Sequence, residues 1–189
     1  MTKAFTPDAD KTGKVQYFYG AGKGKTSAAV GVAVRAYGAG LSVAWLALAK
    51  TLASSEFVVL QAFEPERCHL EAFGLPEKGG KRQWLVPGRL TPEQRALGRT
   101  ALEQACQVLQ AAHWDVVVLD EFADGPEWGL FEGEALLKAI AARPKAQEVV
   151  ITGHKPWQAL VEYADLVTEL RKVKHYFDAG TPARKGFEF

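Results

Sequence analysis

"YFYGAGKGKTSAAVG", Tyr17 to Gly31, is the stretch whose reading decides the fold. An apolar run ends in glycines and then becomes a helix of small residues. Gly20, Gly22 and Gly24, Lys23 and Lys25, and the Thr26-Ser27 pair fall within eight positions. Bare backbone amides and positive charge at the mouth of a helix suit a phosphate chain. Glycines let successive amides point inward at anionic oxygens, and the helix N-terminus adds the positive end of its dipole. Lys25 supplies the point charge on the phosphates, and the Thr26 hydroxyl is placed for Mg2+. The strict pattern G-x-x-x-x-G-K-[ST] needs glycine at position 19, where this chain has Tyr19. The loop is an irregular phosphate-binding loop; the plain alternative is a glycine-rich turn with two solvated lysines.

Outward from this stretch, apolar runs alternate with helical patterns. Val15 to Tyr19 reads as a strand and Thr26 to Tyr37 as a helix stopped by Gly38 and Gly40. Leu41 to Ala49 is the next strand, and Phe57 to Phe63 a third. Thr91-Pro92-Glu93-Gln94 opens a long helix to about Ala112, with Thr91 as N-cap, proline in the first turn and Gln94 closing a capping box. Strands follow at Asp115 to Leu119, Glu148 to Thr152 and Leu166 to Leu170, with helices at Glu132 to Ala142 and Pro156 to Ala164. The Val/Ile/Leu runs are nearly continuous rather than alternating, so the strands are buried on both faces. That predicts an α/β fold, a three-layer sandwich with a mostly parallel central sheet like that of P-loop NTPases. Residues 1–189 form a single domain, with residues 1–14 a flexible amino-terminal segment and 171–189 an irregular tail over the site.

Composition sets the bounds. The chain has 189 residues, 48% hydrophobic and 24% charged, enough for one full core. A net charge of +1 carries no global field for nucleic acid or an anionic membrane. Cys68 and Cys106 lie far apart without metal-type spacing, which suits reduced thiols in a cytoplasmic protein. Met1 to Lys14 lacks the apolar centre of a signal peptide. The apolar run Leu41 to Ala49 is well short of the ~20 residues of a membrane helix.

A second motif supports the first. Val116-Val117-Val118-Leu119 runs straight into Asp120-Glu121, which places Asp120 at the carboxyl lip of a central strand, where open α/β sheets bind ligands. Asp120 suits the metal or its water shell opposite Thr26. Glu121 is open to two readings, orienting an attacking water or capping the next turn together with Asp120.

Together these stretches resemble the P-loop corrinoid adenosyltransferases, which transfer adenosine from ATP to the cobalt of a cobalamin precursor. The resemblance is carried by "GAGKGKTSAA" with "VRAYGAG" behind it, by "WDVVVLDE", by "ARPKAQEVVITG" and by "ADLVTELRKVKHYFDAGTPARKGFEF". The last is the most specific, because generic P-loop ATPases have nothing like it. The family loop also lacks the first glycine of the strict motif. The resemblance implies that a Co(I) corrinoid attacks the ribose 5′ carbon of ATP and inorganic triphosphate leaves. It implies an ATP site at Gly20, Ala21, Gly22, Lys23, Gly24, Lys25, Thr26 and Ser27, with Mg2+ on Thr26 and Asp120, and Lys25, Asp120 and Glu121 as the catalytic set. Arg35 falls where a family arginine does and is implied to touch ATP, the alternative being a helix-surface arginine. Trp84, His154, Lys174, His175 and Arg184 are implied on the corrinoid side. For the last three the alternative is a solvated basic edge, and for Trp84 a plain core aromatic. An electron-donating reductase and a homodimer are implied as well.

The chain departs from the family pattern at several points. Ala21 stands where an asparagine is common, and His154 where an arginine follows the Thr-Gly pair. Leu46-Ala47-Leu48-Ala49-Lys50-Thr51 replaces a Gln-Phe-x-Lys-Gly type segment. Of the Gly-Phe-x-Trp segment whose aromatics act on the lower face of the cobalt, only Trp84 remains nearby; Phe73 is another candidate, but its distance from Trp84 breaks the spacing. The ATP end is intact and the corrin end altered. Two other readings therefore compete: an ATP hydrolase with Glu121 positioning water, and a nucleotide-binding module without turnover.

Overall fold

In the computed structural model, residues 12–75 and 88–187 are described. Trp84 and residues 1–11 of the amino-terminal segment lie outside them. Of that segment's last residues, Gly13 is held by Lys145 and Arg143, its N–H donating to the Lys145 carbonyl at 2.7 Å.

The chain runs β1 Val15–Tyr19, α1 Lys25–Gly38, β2 Val43–Leu48, α2 Ser55–Leu60, β3 Cys68–Phe73, α3 Pro92–Gln110, β4 Val116–Asp120, α4 Gly125–Trp128, α5 Gly133–Ala141, β5 Glu148–Gly153, α6 Gln158–Tyr163 and β6 Leu166–Glu169. The six strands form one sheet in the order β3-β2-β4-β5-β1-β6, and every pairing is parallel. β5 therefore lies between β1 and β4.

Both faces are covered. On one, Ala29, Ala33 and Ala36 of α1 meet Phe18, Trp45, Val118 and Val150 of the sheet, with Phe57 and Leu60 of α2 completing the cluster. The alanines recur at helical spacing and let α1 lie close on the strands. The opposite face carries Tyr17, Leu46, Leu119 and Ile151 against Ala101 and Ala105 of α3, Leu136 and Ile140 of α5, and Leu160 of α6. All residues of β2 and β4 are buried, as continuous apolar runs require. Each such Leu or Ile is worth roughly 1.5–3 kcal/mol over an exposed one. The Thr91 capping box is in place: the hydroxyl accepts from the Gln94 N–H, and the Gln94 side chain accepts from the Thr91 N–H.

The expected strand at Phe57 to Phe63 is instead helical over Ser55–Leu60. Phe57 and Leu60 are buried while Val58 and Val59 are exposed, a spacing of three that belongs to a helix and not to a pleat. The third strand is Cys68–Phe73. It is an edge strand whose first five residues are only half-buried, so Cys-His-Leu-Glu-Ala-Phe alternates in polarity and lacks the run that marks the central strands.

Candidate active site

β1 ends at Tyr19 and the chain turns at once. Gly20 has φ 143°, and a Cβ there would sit 2.1 Å from the Leu170 carbonyl oxygen just beyond β6. Gly24, at φ 119°, precedes the first helical residue and faces the Leu170 side chain. Only residues without a side chain fit these two places. α1 then starts with neither a side-chain cap nor an acid in its first turn, so its leading N–H groups are left for an anion. Lys25 is buried and folds back on its own loop, donating to the carbonyls of Gly20 at 2.7 Å and Gly22 at 2.8 Å. Burial lowers its pKa, against the pull of Glu121, Asp124 and Asp120.

The acids stand across β5. Asp120, fully buried at the end of β4, accepts from the Thr152 hydroxyl of β5 at 2.7 Å. The same Thr152 oxygen accepts from the Glu121 N–H at 2.7 Å, locking the turn. Glu121 is in the left-handed region at φ 63°, an unusual place for a residue with a side chain, at a cost of roughly 1 kcal/mol. Thr26 reaches across from α1, its Oγ1 3.2 Å and 3.3 Å from the two Asp120 oxygens. The ammonium of Lys50, just past β2, closes the group: 2.5 Å from Asp120 Oδ2, 2.8 Å from Thr26 Oγ1 and 3.4 Å from Glu121 Oε1. For Lys50, burial alone would lower the pKa, but Asp120 and Glu121 together outweigh it and raise it. Burial raises the Glu121 carboxyl, partly offset by Lys50.

The Thr26 hydroxyl and the Asp120 carboxylate are hard oxygen donors that converge on one point, and a cationic group of the chain already sits there. The donor set fits Mg2+. Among the described residues no group of three or more His, Cys, Asp or Glu could hold a metal by itself. One carboxylate and one hydroxyl, completed by substrate phosphates, is the arrangement that magnesium prefers.

A cleft of about 950 Å3 opens from this point, lined among others by Lys25, Lys50, Glu121, Trp128, His154 and Phe187. His154 is held by Asp124, which is buried: the His154 N–H donates to Asp124 Oδ1 at 2.8 Å, and Nδ1 lies 2.7 Å from Oδ2. The bond to Asp124 raises the imidazole pKa despite burial. The tail folds over the loop. Lys23 donates to the Tyr176 hydroxyl at 3.1 Å, and the Arg184 guanidinium lies 4.8 Å from the Tyr176 ring and 4.7 Å from that of Phe187.

Of the residues expected from sequence, Gly22 to Ser27, Glu121, His154 and His175 line the cleft, and Asp120 lies beneath it. Gly20 holds Lys25, and Ala21 completes the turn beside it. Arg35 is exposed in the last turn of α1, outside the lining, and Lys174 is exposed on the tail, also outside it. Arg184 reaches the site through Tyr176 and Phe187. Sequence reasoning missed Lys50, Thr152 and Asp124. Lys50 and Thr152 carry a legible signal, a polar group at the carboxyl end of an apolar strand, as Asp120 does. Asp124 carries none, because its position depends on the left-handed turn at Glu121.

Comparison with known proteins bears on this site. Residues 11–189 match the family described as ATP:corrinoid adenosyltransferase BtuR/CobO/CobP. The chain is similar to the corrinoid adenosyltransferase of Pseudomonas aeruginosa, 35% identical over 182 residues that cover 95% of this chain and 85% of that protein. It is similar to the Escherichia coli K12 corrinoid adenosyltransferase at 32% identity, covering 95% and 87% of the two chains. The corrinoid adenosyltransferase CobA of Salmonella typhimurium is 33% identical, with the same coverage of 95% and 87%.

Proposed function

The chain belongs to the ATP:corrinoid adenosyltransferase family, and from that premise we propose that its cleft transfers the 5′-deoxyadenosyl group of ATP to the Co(I) of a corrinoid. The Co(I) electron pair forms a bond to C5′ while the C5′–O bond breaks, and its electrons leave with inorganic triphosphate. The chain must hold the whole triphosphate as leaving group and turn the ribose toward the cobalt. The amides of Gly22 and Gly24, the α1 N-terminus and Lys25 do the holding and meet the charge that builds on the departing oxygens. Thr26 and Asp120 would hold Mg2+, which when bound neutralises phosphate charge. Thr152 fixes the Asp120 carboxylate toward that point, and His154, its imidazole pKa raised by Asp124, faces the part of the cleft beyond the phosphates.

The carrying observation is the cleft itself. It continues from the loop past Glu121 to Trp128 and His154, so it extends beyond the phosphate-binding end. The reaction is proposed to run in the cytoplasm on a homodimer, with a separate reductase supplying the electron that makes Co(I). Neither nucleic acid nor membrane takes part, in keeping with the net charge of +1. No helix among the described residues is long and apolar enough to cross a membrane.

The test mixes the protein with chemically reduced corrinoid, ATP and Mg2+ and follows both products. A photolabile cobalt–carbon bond and stoichiometric triphosphate, neither formed without the corrinoid, are expected. ADP and phosphate released at the same rate with or without corrinoid would overturn the assignment.

A further inference from the structure

Lys50 occupies the point where the Thr26 hydroxyl and the Asp120 and Glu121 carboxylates meet, and it is the group whose presence there most needs a reason. Its ammonium is within 3.4 Å of oxygens from α1, the end of β4 and the residue after it. The backbone is bent to bring it there. Ala49 is in the left-handed region at φ 56°, its N–H tied to the Phe73 carbonyl at 2.8 Å. The Lys50 carbonyl lies so close to Gly74 that a Cβ on Gly74 would come within 2.3 Å of it. A strained residue without glycine's freedom, pinned by a glycine just past the neighbouring strand, aims a lysine at the metal position. Lys25, meanwhile, rests on the Gly20 and Gly22 carbonyls. The Lys25 and Lys50 ammoniums are thus both parked on protein oxygens that a Mg–ATP complex would compete for.

We propose that Lys50 is a tethered stand-in for magnesium: it closes the Thr26–Asp120 position to divalent ions while the cleft lacks nucleotide, and gives it up when metal and phosphates arrive together. Two cations cannot share a single carboxylate and hydroxyl at these distances, so a lone ion must displace the ammonium and leave it among like charges. With a triphosphate present, the released ammonium has anionic oxygens to meet. Lys50 thereby couples metal binding to nucleotide binding. It also keeps the buried Asp120 paired in the empty cleft, where an unpaired buried charge would be costly. This role deepens the reading of the cleft as a Mg–ATP site and rests on it.

Two binding measurements test the role. Mn2+ binding to the nucleotide-free protein, read from the electron paramagnetic resonance of the free ion, is expected to tighten on the order of tenfold in Lys50→Met and to stay weak in Lys50→Arg. ATP affinity, measured by calorimetry in EDTA and in saturating Mg2+, is expected to fall about tenfold more in EDTA than in Mg2+ for Lys50→Met, because only without metal does the variant leave Asp120 and Glu121 bare before the phosphates. Equal losses in the two conditions, or Mn2+ binding no tighter in a Lys50→Met protein that keeps its circular dichroism, would overturn the proposal. If that variant does not fold, the wild type decides: tight Mn2+ binding without nucleotide sinks the role, and weak binding sustains it. No corrinoid enters these measurements, so their failure leaves the transfer reaction standing, and a failed transfer leaves them interpretable.

Discussion

Lys25 makes its two hydrogen bonds to carbonyls of its own loop, at 2.7 Å and 2.8 Å, in a buried position. Under the proposed function its charge is what meets the phosphates. A charge-assisted contact of this type is worth about 1.5–3 kcal/mol. Lys25→Ala is expected to slow corrinoid-dependent triphosphate release by roughly one to two orders of magnitude, measured by ion chromatography of the products. His154 gives a prediction with a sign. Asp124 raises its folded-state pKa above the unfolded imidazole value of about 6.5. The pair therefore stabilises the fold fully below that unfolded value, and the contribution disappears as pH rises through the folded one. The gap in melting temperature between the wild type and His154→Gln should be widest near pH 5 and close toward pH 9, roughly the span over which imidazole titrates. A gap that ignores pH would remove Asp124 as its cause. At this scale Lys25, Thr26 and Asp120 were legible because each sits in a local motif. Lys50 offered a signal at the end of its apolar strand, but its pairing with Asp120, 70 positions away, did not show, and Asp124, 30 positions from His154, offered none; only folding closes such distances.

Elements were legible where burial is two-sided and hidden where it is not. β2 and β4 announce themselves as unbroken apolar runs, and α3 through Thr91 and Gln94. In Ser-Glu-Phe-Val-Val-Leu the β-branched pair suggested a strand, yet Phe57 and Leu60 alone reach the core, and that period of three decides for α2. The capping box of α3 allows a measurement. Thr91→Ala removes the acceptor for the Gln94 N–H and should cost about 1 kcal/mol, seen as a lower urea midpoint at unchanged slope. A midpoint that does not move would mean that water replaces the hydroxyl without loss.

In the whole molecule the sheet is unevenly secured. β4 and β5 have neighbours on both sides, while β3 and β6 have one, and all four residues of β6 are exposed. Native-state hydrogen exchange should find the slowest amides in β4 and β5 and amides exchanging orders of magnitude faster in β6. Uniform protection across the sheet would contradict this gradient. The parallel sandwich itself was legible from the buried runs. The strand order was not, because no local pattern says which runs become neighbours. That order has its own consequence. β5 carries neither the glycine loop nor the acidic pair, yet its width separates them, two inter-strand steps of about 4.8 Å each. Whatever shifts β5 along its axis or twists it alters the reach from clamp to carboxylate. Substitutions on a strand that meets no phosphate, Thr152 first among them, can in this way retune turnover as a spacer sets the gap of a jaw.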